Sequence, residues 1–284
     1  MEMPKIVAVI GFGTMGSGIA QTFVEAGYQV IAVEKEETLF TRGLKQIQRN
    51  WERSIEKGRL TTEKKTQLEQ LLTVTTDWNR IADAEFLIEA ISENIDLKKE
   101  VFKEISQVVS ENAIIASNTS GLSITEVASV VPNPSRVIGC HFFNPVPVMK
   151  LVELIRGYDT SEQTYEKTKK IVVSLGKESI EVNESPLFAV NRILVPMINE
   201  AIFVLQEGVA SAEDIDRGMK LGANHPIGPL ALADLIGLDT LLFVQDSLYE
   251  NTQDSKYRSA PLLRKLVRAG HLGRKTGKGF FEYK

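Results

Sequence analysis

A histidine and a glutamate twelve residues apart bracket the run His141-Phe-Phe-Asn144-Pro-Val-Pro-Val-Met-Lys-Leu-Val-Glu153. Imidazole is the side chain best suited to exchanging a proton near neutral pH. A carboxylate between Val152 and Leu154 is costly unless it is paired. Arg136 to Cys140 reads as a strand with His141 at its carboxyl end, and 149–154 reads as another. A Pro-rich turn between the two can set the side chains together, the acid fixing the imidazole tautomer and stabilising its charged form. By position alone His141 serves equally well as a structural imidazole, and Glu153 as a surface strand residue. Their pairing is what favours acid–base chemistry.

A second constellation is Gly11-Phe12-Gly13-Thr14-Met15-Gly16, which follows the β-branched run Lys5–Ile10 and opens a helix-compatible stretch ending at Gly27. The first glycine permits a tight turn, the second a close approach to a pyrophosphate, and the third close packing of helix on strand. The helix N-terminus adds free N–H groups and positive dipole. Glu34 directly follows the next strand, 29–33, at the spacing where a carboxylate takes ribose hydroxyls. Alone, the glycines could mark an ordinary turn; with the flanking strands and the acid they predict a dinucleotide site. Glu34 repels a 2′-phosphate, so NAD is expected over NADP, although Lys35 beside it blurs that preference.

Two further strand ends are polar. Ser117-Asn118-Thr119-Ser120-Gly121 follows Ala113–Ala116 and can hydrogen-bond a substrate oxygen or a carboxamide, or simply cap a helix from Ser123. Glu93-Asn94 ends another strand, with Lys98 five residues after Glu93. Asn191, on an apolar helix, needs a polar partner. Cys140 follows its strand's apolar pattern and reads as a small hydrophobe rather than a nucleophile. No Gly-x-Ser-x-Gly elbow supports a serine hydrolase. The tail Gly273–Gly279 is either a phosphate-contacting basic loop or a solvated turn.

The elements that position these groups follow β-α-β grammar, which implies a mainly parallel α/β sheet. Residues 36–70 read as two antiparallel helices broken at Gly58, and strands are expected at 73–75, 86–90, 113–116, 136–141, 149–154 and 178–182. From Ser185 the pattern becomes helical, with Ser185-Pro186 read as a cap and first turn. The helix through 187–205 is apolar nearly all round. Domains are therefore expected over 1–184 and 185–284. The 284 residues are 43% hydrophobic and 25% charged, as in ordinary globular protein. A net charge of −4 offers no footprint for nucleic acid, and no stretch reaches the length of a membrane span. One cysteine and three histidines predict neither a disulfide nor a metal site, and a cytoplasmic protein is expected.

Together these runs resemble the L-3-hydroxyacyl-CoA dehydrogenase family, particularly its compact bacterial members acting on 3-hydroxybutyryl-CoA. The resemblance is carried by Val9–Gly16, Glu93-Asn94, Ser117–Ser120, His141–Glu153, Val190-Asn191-Arg192, Ser211–Asp216 and Gly277–Phe281. It implies a Rossmann-type, doubly wound NAD domain with a helical hairpin insertion, then an all-α domain for dimerisation and substrate binding. The implied reaction is reversible oxidation of an (S)-3-hydroxyacyl-CoA by a homodimer. By motif, His141 is the acid/base and Glu153 its orienting partner, with Ser120 and Asn191 around the reacting oxygen and the base. Gly11, Phe12, Gly13, Thr14, Met15, Gly16, Glu34, Glu93, Lys98, Ser120, Asn144 and Lys275 fall where the family meets NAD. Asn50 and Lys57, with Ser120, are the implied acyl-CoA contacts. Two departures are Leu187, where many members carry glycine, and Glu34, where aspartate is frequent. Alternatives are a dehydrogenase of a CoA-free sugar acid such as L-gulonate, or a non-catalytic NAD-binding protein.

Overall fold

The computed structural model describes residues 3–283; Met1, Glu2 and Lys284, included in the expected domain ranges, lie outside the described residues. The chain forms two compact units, one ending at Phe188 and one beginning at Ala189.

The first unit is built on strands β1 (Ile6–Ile10), β2 (Gln29–Val33), β3 (Leu72–Thr75), β4 (Phe86–Glu89), β5 (Ile114–Ser117), β6 (Val137–Phe142), β7 (Leu151–Arg156) and β8 (Glu178–Asn183). They form one sheet in the order β3-β2-β1-β4-β5-β6-β7-β8. All neighbours run parallel except β6 and β7. Because β1 lies between β2 and β4, the winding reverses there, and a ligand crevice opens beyond the carboxyl ends of such strands. The strands β1, β4, β5 and β6 lack polar alternation because helices cover both faces.

Those helices are α1 (Thr14–Glu25), α2 (Glu37–Glu56), α3 (Thr62–Gln70), α4 (Ile95–Val108), α5 (Ile124–Ala128) and α6 (Glu162–Ser174). Helices α2 and α3 are the hairpin expected at 36–70, turning at Gly58 with φ +65°. Only Gly43, Ile47 and Trp51 of α2 are buried, a stripe at helical spacing. Burial of Trp51 contributes on the order of 2–3 kcal/mol. Gly43 is there because a Cβ would stand 2.6 Å from the Phe12 carbonyl oxygen.

Two element boundaries differ from expectation. The strand expected at 149 begins at Leu151, because Val148 and Met149 both donate their N–H to the Pro145 carbonyl and stay in the turn. The helix expected after Ser185-Pro186 begins at Val190 instead. Leu187 and Phe188 take φ +61° and +59°, left-handed values that a right-handed helix excludes.

The second unit holds α7 (Val190–Gln206), α8 (Ala212–Gly222), α9 (Pro229–Ile236), α10 (Leu238–Thr252) and α11 (Pro261–Arg268) around an apolar cluster including Ile198, Ile202, Leu230 and Leu238. Buried Asp216 accepts N–H bonds from Leu230 and Ala231, capping α9. Buried Asp234 accepts from the Phe280 and Phe281 amides and the Tyr283 hydroxyl. This holds the C-terminal Gly277–Phe281 segment, and Gly279 is required because a Cβ would fall on the Asp234 carboxylate.

Candidate active site

Antiparallel pairing sets His141 on β6 directly opposite Glu153 on β7. Opposed residues of an antiparallel pair share a face, and here Nδ1 of His141 lies 2.8 Å from Oε2 of Glu153. Both side chains are buried. A carboxylate only accepts, so Nδ1 carries the hydrogen and donates it, leaving the lone pair on Nε2. The ring is bracketed by Phe143, with centroids 4.4 Å apart, and Phe188 at 5.9 Å. The pair is thus a proton acceptor of fixed tautomer held by an acid that stabilises the charged ring. Neighbouring Cys140 is buried, and desolvation pushes its thiol far up, away from nucleophilic use.

The ends of β4 and β5 carry a chain of alternating charge. Glu89, fully buried, accepts from Lys98 Nζ at 2.6 Å, the Ile91 amide at 2.7 Å and the Ser117 hydroxyl at 2.7 Å. Lys98 also stands 3.4 Å from Glu93. The other Glu93 oxygen accepts from the Thr119 hydroxyl at 2.6 Å and the Ser120 amide at 2.8 Å, with the Ser120 hydroxyl at 3.4 Å. Asn118 accepts the Phe142 amide, tying this turn to the end of β6. Ser123 caps α5, as one reading of the loop expected.

At the end of β1, Gly11 takes φ +90° against the Ala90 carbonyl, and a Cβ on Gly16 would stand 1.9 Å from the Gly11 oxygen. Helix and strand therefore meet only through glycine. Helix α1 has no side-chain cap, and Gly13 and Thr14 at its start are exposed. Glu34 accepts the Phe12 amide at 2.8 Å, which anchors a negative charge on the glycine loop. An open, uncapped helix start beside an anchored acid fits a dinucleotide: backbone N–H groups for the pyrophosphate, Glu34 for the ribose. Met15 packs partly buried against the core.

Among the other expected site residues, Asn50 and Lys275 have side-chain partners. Asn50 donates to Gln21 of α1 at 2.8 Å, and Lys57 is exposed at the end of α2. Asn144 is exposed, next to the cis Asn144–Pro145 bond. In the second unit Asn191 lies in the first turn of α7, and Lys275 pairs with Asp239 at 2.6 Å. Sequence reasoning missed Glu89. Its one signal is an acid ending the apolar strand Phe86-Leu-Ile-Glu89, with a lysine nine residues on. Among the described residues no group of three or more His, Cys, Asp or Glu could hold a metal ion, and no helix is long and apolar enough to cross a membrane.

A doubly wound sheet, a glycine-rich turn with its acid and a carboxylate-held histidine at the sheet's carboxyl edge define a nicotinamide-dependent dehydrogenase. The NAD binding domain of 3-hydroxyacyl-CoA dehydrogenase matches residues 6–185, and the C-terminal domain of the same enzyme matches 188–283. The chain is 48% identical to a 3-hydroxybutyryl-CoA dehydrogenase of Clostridioides difficile, covering 98% of this chain and 99% of the other. It is 40% identical to the human mitochondrial hydroxyacyl-coenzyme A dehydrogenase, covering 99% and 91%. The crystal structure of an (S)-3-hydroxybutyryl-CoA dehydrogenase from Ralstonia eutropha superposes with a TM-score of 0.97 at 49% identity, covering 99% of both chains. The chain belongs to the 3-hydroxyacyl-CoA dehydrogenase family, and is an NAD-dependent oxidoreductase. These relatives support the acyl-CoA reading and lend nothing to the sugar-acid or non-catalytic alternatives.

Proposed function

We propose that the protein interconverts (S)-3-hydroxybutyryl-CoA and acetoacetyl-CoA, with His141 as the acid/base and Glu153 as its orienting partner. The observation that carries this is the 2.8 Å contact between the two, opposed across β6 and β7. Nε2 of His141 takes the substrate hydroxyl proton in oxidation and returns it to the carbonyl oxygen in reduction. Glu153 stabilises the imidazolium formed between those events. Bound NAD supplies the acceptor for the C3 hydride. The glycine loop from Gly11 to Gly16, Glu34, Glu93, Lys98, Ser120, Asn144 and Lys275 hold the cofactor. Ser120 and Asn191 orient the reacting oxygen, and Asn50 and Lys57 lie on the side taken by CoA.

The second unit serves dimerisation. Its exposed apolar side chains, Ile193, Leu221 and Phe243 among them, support that reading, and a dimeric mass in sedimentation is expected. A cytoplasmic location completes the proposal.

The test follows NADH absorbance with acetoacetyl-CoA, free acetoacetate and NADPH as comparisons. Consumption of NADH with the CoA ester alone supports the reading and leads to an acyl-length series. Equal rates with free acetoacetate overturn the CoA requirement, and a preference for NADPH overturns the role of Glu34.

A further inference from the structure

Leu187 and Phe188 are adjacent, bulky and left-handed, with φ +61° and +59°. Such values cost free energy in any residue with a β-carbon and persist only where the surroundings impose them. Here they do. The Glu184 carboxylate accepts the Thr125 amide at 3.0 Å and the Thr125 hydroxyl, pinning the chain just before the turn. The Phe188 amide donates to the Ser185 carbonyl at 2.9 Å. The Leu187 side chain lies over Gly121, where a Cβ would stand 2.6 Å from it. What the strained turn delivers is a phenyl ring, 2% exposed, beside the His141 imidazole, at a centroid separation of 5.9 Å and an interplanar angle of 58°.

The imidazole needs such a neighbour. Its hydrogen bond to Glu153 fixes Nδ1, but the second side-chain torsion of a histidine is soft, so the ring can rock about that bond and carry Nε2 with it. Phe143, at 4.4 Å, is one restraint, supplied by the chain two residues after His141. Phe188 is the other, brought from a distant part of the chain. Rings at these separations attract each other beyond the apolar area they bury. We propose that Phe188 is a positioning residue: its ring, set by the strained 187–188 turn, keeps Nε2 of His141 aimed at the substrate oxygen, and it acts on turnover only through His141. This rests on His141 being the acid/base.

The experiment places Phe188→Leu in the wild-type chain and in His141→Ala, because a residue that acts through the imidazole has nothing to act on once the imidazole is gone. It is read by kcat, by NADH affinity from fluorescence and by melting temperature. In the wild-type chain Phe188→Leu is expected to lower kcat about 5- to 50-fold, a part of what a well-aimed proton acceptor contributes, with NADH affinity unchanged. In the His141→Ala chain it is expected to change kcat less than about 2-fold. Equal losses in the two chains overturn the positioning role alone. A lowered melting temperature with wild-type kcat overturns it too, since the ring is then packing and nothing more. His141→Ala at wild-type kcat overturns both the proposal and the acid/base reading beneath it, so the two failures are told apart. Should Phe188→Leu not fold, Phe188→Met decides by the same two comparisons, because its unbranched side chain adapts to the space but has no flat face.

Discussion

The two units bury carboxylates for opposite purposes. In the first, Glu153 and Glu89 hold side chains, an imidazole that can take up a proton on His141 and an ammonium on Lys98. In the second, Asp216 and Asp234 hold backbone amides, closing a helix start and a C-terminal segment. Desolvating a carboxylate is costly in either place and is tolerated because every case is hydrogen-bonded. What differs is what the partner can do. An amide never changes protonation, so the aspartates are architecture; an imidazole does, so Glu153 is mechanism.

That contrast is broken most severely at His141. The change His141→Ala is expected to lower kcat about 10²- to 10⁴-fold, the contribution of a positioned proton acceptor, with NADH affinity little altered. A collapse in NADH affinity with kcat retained would make the first unit's pair structural and erase the comparison. The mirror experiment is Asp234→Ala. It strands two partly buried amides and the Tyr283 hydroxyl, and is expected to cost about 2–4 kcal/mol in urea unfolding, given roughly 1–3 kcal/mol per unsatisfied buried group. The folded fraction should keep its kcat, whereas a loss of turnover without a loss of stability would reverse the assignment.

A smaller effect is expected at Leu187, where two terms oppose. Its left-handed backbone costs about 1–2 kcal/mol, which glycine would relieve. Its buried side chain, seated over Gly121, contributes roughly 2–3 kcal/mol, and glycine also loses more chain entropy on folding. Burial wins, so Leu187→Gly should lower stability by about 1 kcal/mol on balance. A stabilised variant would show that backbone strain dominates at this junction.

How much of this was legible depends on the distance over which each feature is decided. The β1–α1–β2 unit was readable because an apolar strand, three glycines and Glu34 are local signals. The His141–Glu153 pair was readable because a single Pro-rich turn separates two adjacent strands. Glu89 was not, since its partner Ser117 lies 28 residues away and meets it only through the pairing of β4 with β5. The helix start at Ser185-Pro186 was misplaced for a related reason. Proline at a first helical position is a local preference, and the left-handed turn at Leu187, packed over Gly121, overrides it. The tail Gly273–Gly279 stayed ambiguous because Asp234, which fixes its end through the Phe280 amide, lies 46 residues before that amide.

The faintest expected effect lies in the second unit, in a carboxylate there whose main partner is a cationic side chain. Hydrogen bonding from Lys275 holds the Asp239 carboxyl below its ordinary 3.8. A lowered carboxyl stabilises the fold above that ordinary value, and the contribution is lost as pH falls through the lower folded value. Asp239 is 41% exposed, so solvent and salt screen the pair and its worth is below about 1 kcal/mol. Wild type should therefore unfold at a slightly higher urea concentration than Lys275→Met at pH 7, with the gap closing below pH 4. A gap that stays constant with pH would assign the lysine to packing rather than charge. A gap that appears only when NADH is present would assign the effect to the cofactor contact proposed for Lys275 rather than to its pair with Asp239.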